Sequence, residues 1–247
     1  MAILSQSASK THSRFRLRRV VTVFLMLTAL AGMGYIAQRQ TVKDVPLINS
    51  VMGTSVSVAQ DADDALAKLE VKGRAAKTGY ERSEFGNGWA TVRGCDMRNR
   101  ILQRDLTDEK LRNDNCVVLS GNLLDPYTGN TIAFERGDTT SSLVQIDHVV
   151  ALSDAWQKGA QGWGNEKRVN FANDPLNLLA VDGKTNMDKG DGDAATWLPP
   201  NRAYRCRYTA RQIAVKLKYS LWVTGSESDA MKRVLGACPE QVLPIER

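Results

Sequence analysis

Histidine is scarce in this chain, and its scarcity restricts the chemistry that the protein can perform. Only two histidines occur among the 247 residues, and His12 lies in an N-terminal segment that reads as an export signal. His148 is therefore the single imidazole expected in the exported part. A serine-protease triad or a catalytic zinc site with several histidine ligands is hard to build from it, whereas a mechanism with one general base near neutral pH stays open.

An excess of positive charge is also lacking once the N-terminus is set aside. The formal net charge is +6, but residues 1–38 contain five Lys and Arg residues and no acidic residue. The rest of the chain has 28 basic against 27 acidic residues. A general electrostatic attraction to nucleic acid is thereby excluded, and any phosphate-binding surface must be a local patch.

The N-terminal segment has the pattern of an export signal. A basic run from Arg14 to Arg19 precedes a mostly apolar run from Val20 to Ala37. A helix needs about 20 apolar residues to cross a bilayer, so residues 1–38 are predicted to be either a cleaved signal or an uncleaved membrane anchor. In both cases the remainder is expected outside the cytoplasm, secreted or anchored to the cell envelope.

Four cysteines follow this segment, and none of them forms a C-x-x-C motif. An even number of cysteines in an exported chain favours disulfides over a metal site. Three pairings are open. The pairing of near neighbours, Cys95 with Cys116 and Cys206 with Cys238, is favoured because short loops close at lower entropic cost.

Composition divides the rest of the chain into two parts. Residues 39–77 lack a sustained aromatic content and are predicted to be a linker or tether with one helix near Asp61–Val71, and residues 78–247 to be the folded domain. Periodicity and turn signals within the domain predict strands at 117–119, 131–134, 143–152 and 176–181 and helices at 98–106, 185–189 and 203–219. A capping-box pattern at Thr224 and Glu227 predicts a last helix that ends near Leu235.

Asp147 and His148 interrupt the apolar run of residues 143–152. One interpretation is a structural Asp-His pair with no chemical role. Their context favours a catalytic role, because Asn177 opens the next predicted strand and Asn186 the following short helix, with Lys189, Gly190 and Asp191 directly after it.

This order of residues resembles the HNH nucleases, in which one strand carries Asp-His, a second strand an Asn, and a helix the last His or Asn. Segments 147–152, 173–178 and 186–191 are similar to the exported actinobacterial HNH family related to the DUF1524 domain, and the resemblance extends from about residue 80 to Cys238. It implies an α+β fold, with a mainly helical domain around a ββα-metal (His-metal finger) unit at about 143–191.

The resemblance also implies a role for each residue of the motif. His148 would be the general base, and Asp147 and Asn186 would hold one divalent cation, Mg²⁺ or else Mn²⁺, since carboxylate and amide oxygens suit hard cations. Many HNH enzymes have His at the helix position, and the neutral Asn186 argues against tightly held Zn²⁺. Asn177 would hold the backbone of the His-bearing strand, or would only cap a turn.

Substrate contacts are predicted from basic residues. Lys189 would bind a phosphate, or would only be an exposed lysine at a helix end. Arg202, Arg205 and Arg211 belong to the densest basic stretch and would follow the nucleic-acid backbone, or would only form a solvated face. The expected activity is endonucleolytic hydrolysis of nucleic acid, DNA rather than RNA. The alternative is a catalytically inactive extracellular module that binds nucleic acid or the cell envelope.

Overall fold

The computed structural model describes residues 60–138 and 140–244. The predicted export signal and the first part of the predicted tether lie outside the described residues. Within the two described ranges, no helix is both long and apolar enough to cross a membrane.

The described residues form seven short strands and seven α-helices, joined by turns and three single-turn 3-10 helices at residues 82–85, 160–162 and 202–204. The strands are β1 (Thr91–Val92), β2 (Cys95–Asp96), β3 (Thr107–Leu111), β4 (Val118–Leu124), β5 (Thr131–Glu135), β6 (Val144–His148) and β7 (Leu178–Asp182). The helices are α1 (Ala62–Leu66), α2 (Met97–Asp105), α3 (Leu152–Gln157), α4 (Asn165–Ala172), α5 (Gly183–Lys189), α6 (Arg205–Tyr219) and α7 (Gly225–Leu235).

The α+β class and both disulfides are confirmed. Strands β3, β4 and β5 form an antiparallel sheet, β6 pairs with β7, and β1 pairs with β2. Disulfides join Cys95 to Cys116 and Cys206 to Cys238. The first links the start of α2 to the approach of β4, and the second links α6 to the chain after α7.

Residues 60–77 fall within the tether predicted for residues 39–77, but several of their side chains are buried in the folded domain. Asp61 caps α1, which buries Ala62, Ala65 and Leu66 in a cluster with α6 and α7. Small side chains give a weak hydrophobic pattern in the sequence, yet they allow a short helix to approach two longer ones closely. The expected helix near Asp61–Val71 is present but shorter.

The antiparallel pair of strands β6 and β7 lies between two apolar clusters, and this position determines where the site residues point. Alternate side chains of a strand face opposite sides of a sheet. Ile146 and Leu178 join the cluster of α2, β4 and β5. Leu179 and Val181 join the cluster of Tyr127 with the tyrosines near the start of α6. Because both faces are covered, β7 is apolar from Leu178 to Val181 rather than alternating.

Two helices begin at residues where the sequence predicts a helix start or a turn. Thr224 accepts a hydrogen bond from the Glu227 backbone and Glu227 caps in return, so the predicted capping box is confirmed. Helix α5 starts directly from β7 at Gly183. A side chain at this position would collide with the carbonyl oxygen of Ser142, so the tight strand-to-helix turn requires glycine there.

Candidate functional site

Three consecutive elements bring the candidate residues together. Asp147 and His148 end β6 and are paired with Leu179 and Leu178 of β7, and α5 follows β7 with Asn186 at its centre. Successive strand residues point to opposite faces, so the Asp147 carboxylate and the His148 ring extend to different sides of the β6–β7 strand pair. Both residues nevertheless line one cavity.

His148 is buried and held on two sides. Its Nε2 lies 2.9 Å from the carbonyl oxygen of Ala172, and its ring stacks on Trp89 with centroids 5.8 Å apart and planes 10° from parallel. A carbonyl oxygen only accepts hydrogen bonds, so Nε2 carries the proton and Nδ1 the lone pair. Burial lowers the pKa of His148 to about 4, and the favourable contacts with Ala172 and Asp147 only partly oppose this effect.

Asp147 is bonded through both carboxylate oxygens. The Tyr127 hydroxyl donates to Oδ2, and the Lys189 ammonium lies 2.9 Å from Oδ1. Lys189 also donates to the carbonyl oxygen of His148 at 2.9 Å. Burial and the negative charge of Asp147 raise the pKa of Tyr127 well above its ordinary value, so the hydroxyl stays protonated and remains a donor.

Asn186 borders the same cavity as Asp147 and His148, a space of about 130 Å³. Its Nδ2 donates to Gln145 Oε1 at 2.9 Å, which turns the amide so that the oxygen is the atom left to accept a hydrogen bond or a cation. One carboxylate and one amide oxygen at a polar cavity match the donors that Mg²⁺ prefers, and Mg²⁺ commonly keeps several waters. Among residues 60–138 and 140–244, no group of three or more His, Cys, Asp or Glu is arranged to hold a metal.

A second cavity of about 200 Å³ is also lined by His148. Phe85 and Trp89 provide aromatic lining, and Leu152 and Ala172 provide aliphatic lining. Arg82 is exposed and borders both cavities. The space beside the imidazole therefore combines a cation, aromatic rings and backbone, which suits an anionic substrate with a planar group.

Asn177 is fully buried and forms two hydrogen bonds with the backbone of one residue. Its Oδ1 accepts from the Val150 backbone at 2.8 Å, and its Nδ2 donates to the Val150 carbonyl at 3.2 Å. The carbonyl of Asn177 also accepts from the Val149 backbone at 2.8 Å. These bonds fix the chain directly after His148, where β6 ends and α3 begins.

The basic residues proposed for substrate binding are mostly engaged inside the protein. Lys189 is buried beside Asp147 rather than exposed at the helix end, so its ammonium is not available to a phosphate in this arrangement. Arg211 donates to the backbone oxygens of Pro175, Leu176 and Leu178.

Two further arginines of that stretch differ in their surroundings. Arg205 donates to the Pro199 carbonyl at 2.8 Å, while Arg202 is exposed. The expected basic face of α6 is therefore reduced, because the guanidinium groups of Arg205 and Arg211 donate to backbone carbonyl oxygens.

Five residues around the site were not singled out from the sequence. They are Arg82, Trp89, Tyr127, Gln145 and Ala172. Trp89 and Tyr127 stand beside glycine-containing turns, which is a weak signal for a site. Ala172 acts through its carbonyl oxygen, which no side-chain pattern reveals.

Comparison with known proteins places the chain in a family. Residues 96–234 match the family described as GmrSD restriction endonucleases, C-terminal domain. The chain belongs to this family. The matched region of the GmrSD C-terminal domain contains β6, β7 and α5 with all four residues of the motif, whereas Arg82 and Trp89 precede it. Membership makes this a restriction-endonuclease-related domain.

One relative is a protein of Arthroderma benhamiae named "Uncharacterized secreted protein". It is 37% identical over 187 residues, which are 74% of this chain and 88% of that protein. No solved structure matches this member of the GmrSD C-terminal-domain family.

The burial of His148 predicts a pH-dependent stability. The folded pKa of about 4 lies below the ordinary value of 6.5, so the unfolded chain takes up the proton first as the pH falls. We expect this group to lower the free energy of unfolding of the metal-free protein between pH 6.5 and about 4, by roughly 3 kcal/mol at most. Above pH 6.5 both states are neutral, and the contribution is constant.

Urea unfolding in EDTA, compared between the wild type and His148→Gln, measures this contribution. The difference in unfolding free energy between the two proteins should shift across this pH range, since glutamine does not titrate. A difference that is independent of pH would show that the imidazole is not desolvated in the native state.

Proposed function

We propose that the protein is an exported, metal-dependent endonuclease that hydrolyses phosphodiester bonds, with DNA favoured over RNA as substrate. The observation that carries this proposal is that His148, Asp147 and Asn186 line one cavity, which supports a neutral imidazole acting together with two oxygen ligands. Membership in the restriction-endonuclease-related family supports the same reaction class.

The region from β6 to α5 is assigned to the ββα-metal unit of the HNH nucleases under this proposal. Two antiparallel strands followed at once by a helix, with Asp147-His148 on the first strand and Asn186 on the helix, support the assignment. The helices α3 and α4 are then insertions between the two strands. The turn at Gly183 keeps the helix close to the β6–β7 strand pair.

His148 acts as the general base in this mechanism. Its lowered pKa keeps the imidazole neutral near pH 7, so the lone pair is present without prior deprotonation. The Ala172 carbonyl and the Trp89 ring hold the imidazole in one orientation, and Nδ1 receives the proton of the attacking water. A positioned base of this kind contributes about 10²–10⁴-fold to the rate.

Asp147 and Asn186 would hold the divalent cation, Mg²⁺ first and Mn²⁺ as the alternative. The cation supplies charge stabilisation to the phosphoryl oxygens and the leaving alkoxide. Arg82 lies exposed at the edge of both cavities, where it can bind a phosphate of the substrate. Asn177 would position His148 through its two hydrogen bonds to the backbone of Val150.

An extracytoplasmic location completes the proposal. The two disulfides are typical of proteins that fold in an oxidising compartment. The predicted export signal and the secreted relative agree with this location. The membrane would be contacted only through an uncleaved N-terminal segment.

Metal dependence of plasmid nicking tests the function. The full chain, exported by its expression host and kept oxidised, is incubated with supercoiled plasmid in Mg²⁺, in Mn²⁺ or in EDTA. We expect nicking in both metals, its loss in EDTA, and its recovery when metal is added back in excess. A parallel arm with single-stranded RNA measures the preference for DNA.

Two outcomes would reject the proposal. Nicking that is equally fast in EDTA would exclude the metal, and absence of nicking with either metal would exclude the nuclease. Retarded migration of DNA without cleavage would favour the inactive binding module.

A further inference from the structure

We propose that Lys189 is an internal cation that occupies the Asp147 carboxylate in the metal-free protein and must leave it when a metal ion binds. The inference rests on the proposed metal site at Asp147 and Asn186. It concerns what limits metal affinity at that site rather than the hydrolytic step.

The ion pair is short and shielded from solvent. Lys189 Nζ lies 2.9 Å from Asp147 Oδ1, and the exposed fractions of the two side chains are 0% and 6%. The ammonium also donates to the His148 carbonyl oxygen at 2.9 Å. Two buried acceptors therefore direct this lysine at the oxygen that a metal would use.

The second carboxylate oxygen does not offer a free alternative. The Tyr127 hydroxyl donates to Asp147 Oδ2. Each oxygen of a carboxylate retains further lone-pair capacity. A divalent cation at Asp147 would nevertheless stand within a few ångströms of the ammonium, and two like charges at such a distance repel strongly away from bulk water.

The surroundings of Lys189 provide a place and a means for its displacement. Lys189 is the last residue of α5, three residues after Asn186, and Gly190 follows it with a left-handed φ of +55°. The 130 Å³ cavity is lined by Asp147, Asn186 and Gly190 and so borders the ion pair. A lysine has a flexible four-carbon side chain, so its ammonium can move without movement of the helix.

Removing the ammonium should therefore strengthen metal binding. Lys189→Met retains an unbranched side chain of similar length and leaves Asp147 without a cation. We expect Mn²⁺ to bind Lys189→Met at least tenfold more tightly than the wild type, as measured by calorimetry and by the spin resonance of free Mn²⁺. The metal-free variant should unfold at lower temperature than the wild type, and Mn²⁺ should restore more stability to the variant than to the wild type.

Lys184→Met is the matched control, because Lys184 lies on the same helix and pairs with Asp188 at the surface with 79% of its side chain exposed. Its Mn²⁺ affinity should equal that of the wild type. Lys189→Met with wild-type or weaker affinity would overturn the inference and leave Lys189 as a structural partner of Asp147.

A measurement on the wild type tests the displacement without a variant. The buried ammonium of Lys189 should resist reductive methylation in EDTA and become reactive at saturating Mg²⁺, with Lys184 reactive in both conditions as an internal reference. Mass spectrometry of the peptides quantifies both lysines. Protection of Lys189 that is unchanged at the highest metal concentration would also overturn the inference.

These results are separable from those that test the nuclease. Metal-dependent nicking together with unchanged affinity in Lys189→Met rejects the displaced lysine alone. Nicking at the same rate with and without metal rejects the proposed function, independently of the Mn²⁺ affinity measured for Lys189→Met.

Discussion

Replacing His148 by alanine is expected to lower the rate of plasmid nicking by at least about 100-fold, because the variant lacks the group that accepts the proton of the attacking water. The fixed orientation of the ring explains the size of the effect. Its Nε2 is bonded to the Ala172 carbonyl and its face is covered by Trp89, so no other tautomer or rotamer competes with the productive one.

Metal binding distinguishes a lost base from a lost site. Asp147 and Asn186 are expected to keep their positions in His148→Ala. The Mn²⁺ affinity of the variant should therefore stay within about threefold of the wild-type affinity, which is a change in binding free energy of less than about 1.4 kcal/mol. Asp147→Ala should weaken Mn²⁺ binding instead. If His148→Ala weakened Mn²⁺ binding and Asp147→Ala did not, His148 would be the metal ligand and Asp147 the base.

Loss of stability is a second explanation that needs a control. Met231 is fully buried in the cluster formed by α1, α6 and α7, a different cluster from those around the β6–β7 strand pair. Met231→Ala should therefore lower the unfolding free energy without a comparable loss of activity, when both variants are assayed below their unfolding transitions. Equal losses of activity in His148→Ala and Met231→Ala would mean that the nicking assay reports loss of stability rather than loss of the base.

The part of the site that could be predicted from the sequence consists of residues near one another in the chain or marked by local rules. Asp147 and His148 are adjacent polar residues in an apolar run, and the helix containing Asn186 follows a turn signal. The disulfides could be favoured because each joins near neighbours, and the capping box of Thr224 is a pattern of four residues.

Burial of long charged side chains could not be predicted in this way. A lysine reads as a surface residue because its charge is costly to bury, and only the position of its partner changes that expectation. Asp147 and Lys189 are 42 residues apart, and Arg211 and its carbonyl acceptor Leu176 are 35 apart. Predicting either contact requires the tertiary fold, so the sequence suggested phosphate binding for both cations.

The largest example of such burial is a cluster of three cations and three carboxylates. Its members are Arg74, Asp154, Lys158, Asp193, Lys216 and Glu227. Lys158 is at the centre and lies 2.7 Å from Asp154, 2.8 Å from Asp193 and 2.6 Å from Glu227. The cluster connects the segment after α1 with α3, α6, α7 and the loop after α5.

Lys158→Met is expected to lower the free energy of unfolding by about 3–5 kcal/mol, since removing one partner leaves buried charge without compensation. Urea unfolding near pH 7 measures the loss. Lys72→Met is the control, because Lys72 pairs with Glu70 at the surface, where such a pair contributes about 0–1 kcal/mol. A loss below about 1 kcal/mol for Lys158→Met would show that the carboxylates find other partners or water.

A second substitution separates charge balance from packing as the cause of that loss. Burial raises the pKa of Asp193, but its hydrogen bond and charge interactions with Lys158 and Arg74 outweigh burial and lower the pKa to about 2, so the carboxylate is charged near pH 7. Lys158→Met leaves two cations facing three carboxylates, and adding Asp193→Asn restores equal numbers. We therefore expect the double variant to be more stable than Lys158→Met alone, although Asp193→Asn by itself should destabilise the protein. If the losses of unfolding free energy in the two single variants were instead additive in the double variant, the loss in Lys158→Met would come from packing around the side chain and not from unbalanced charge.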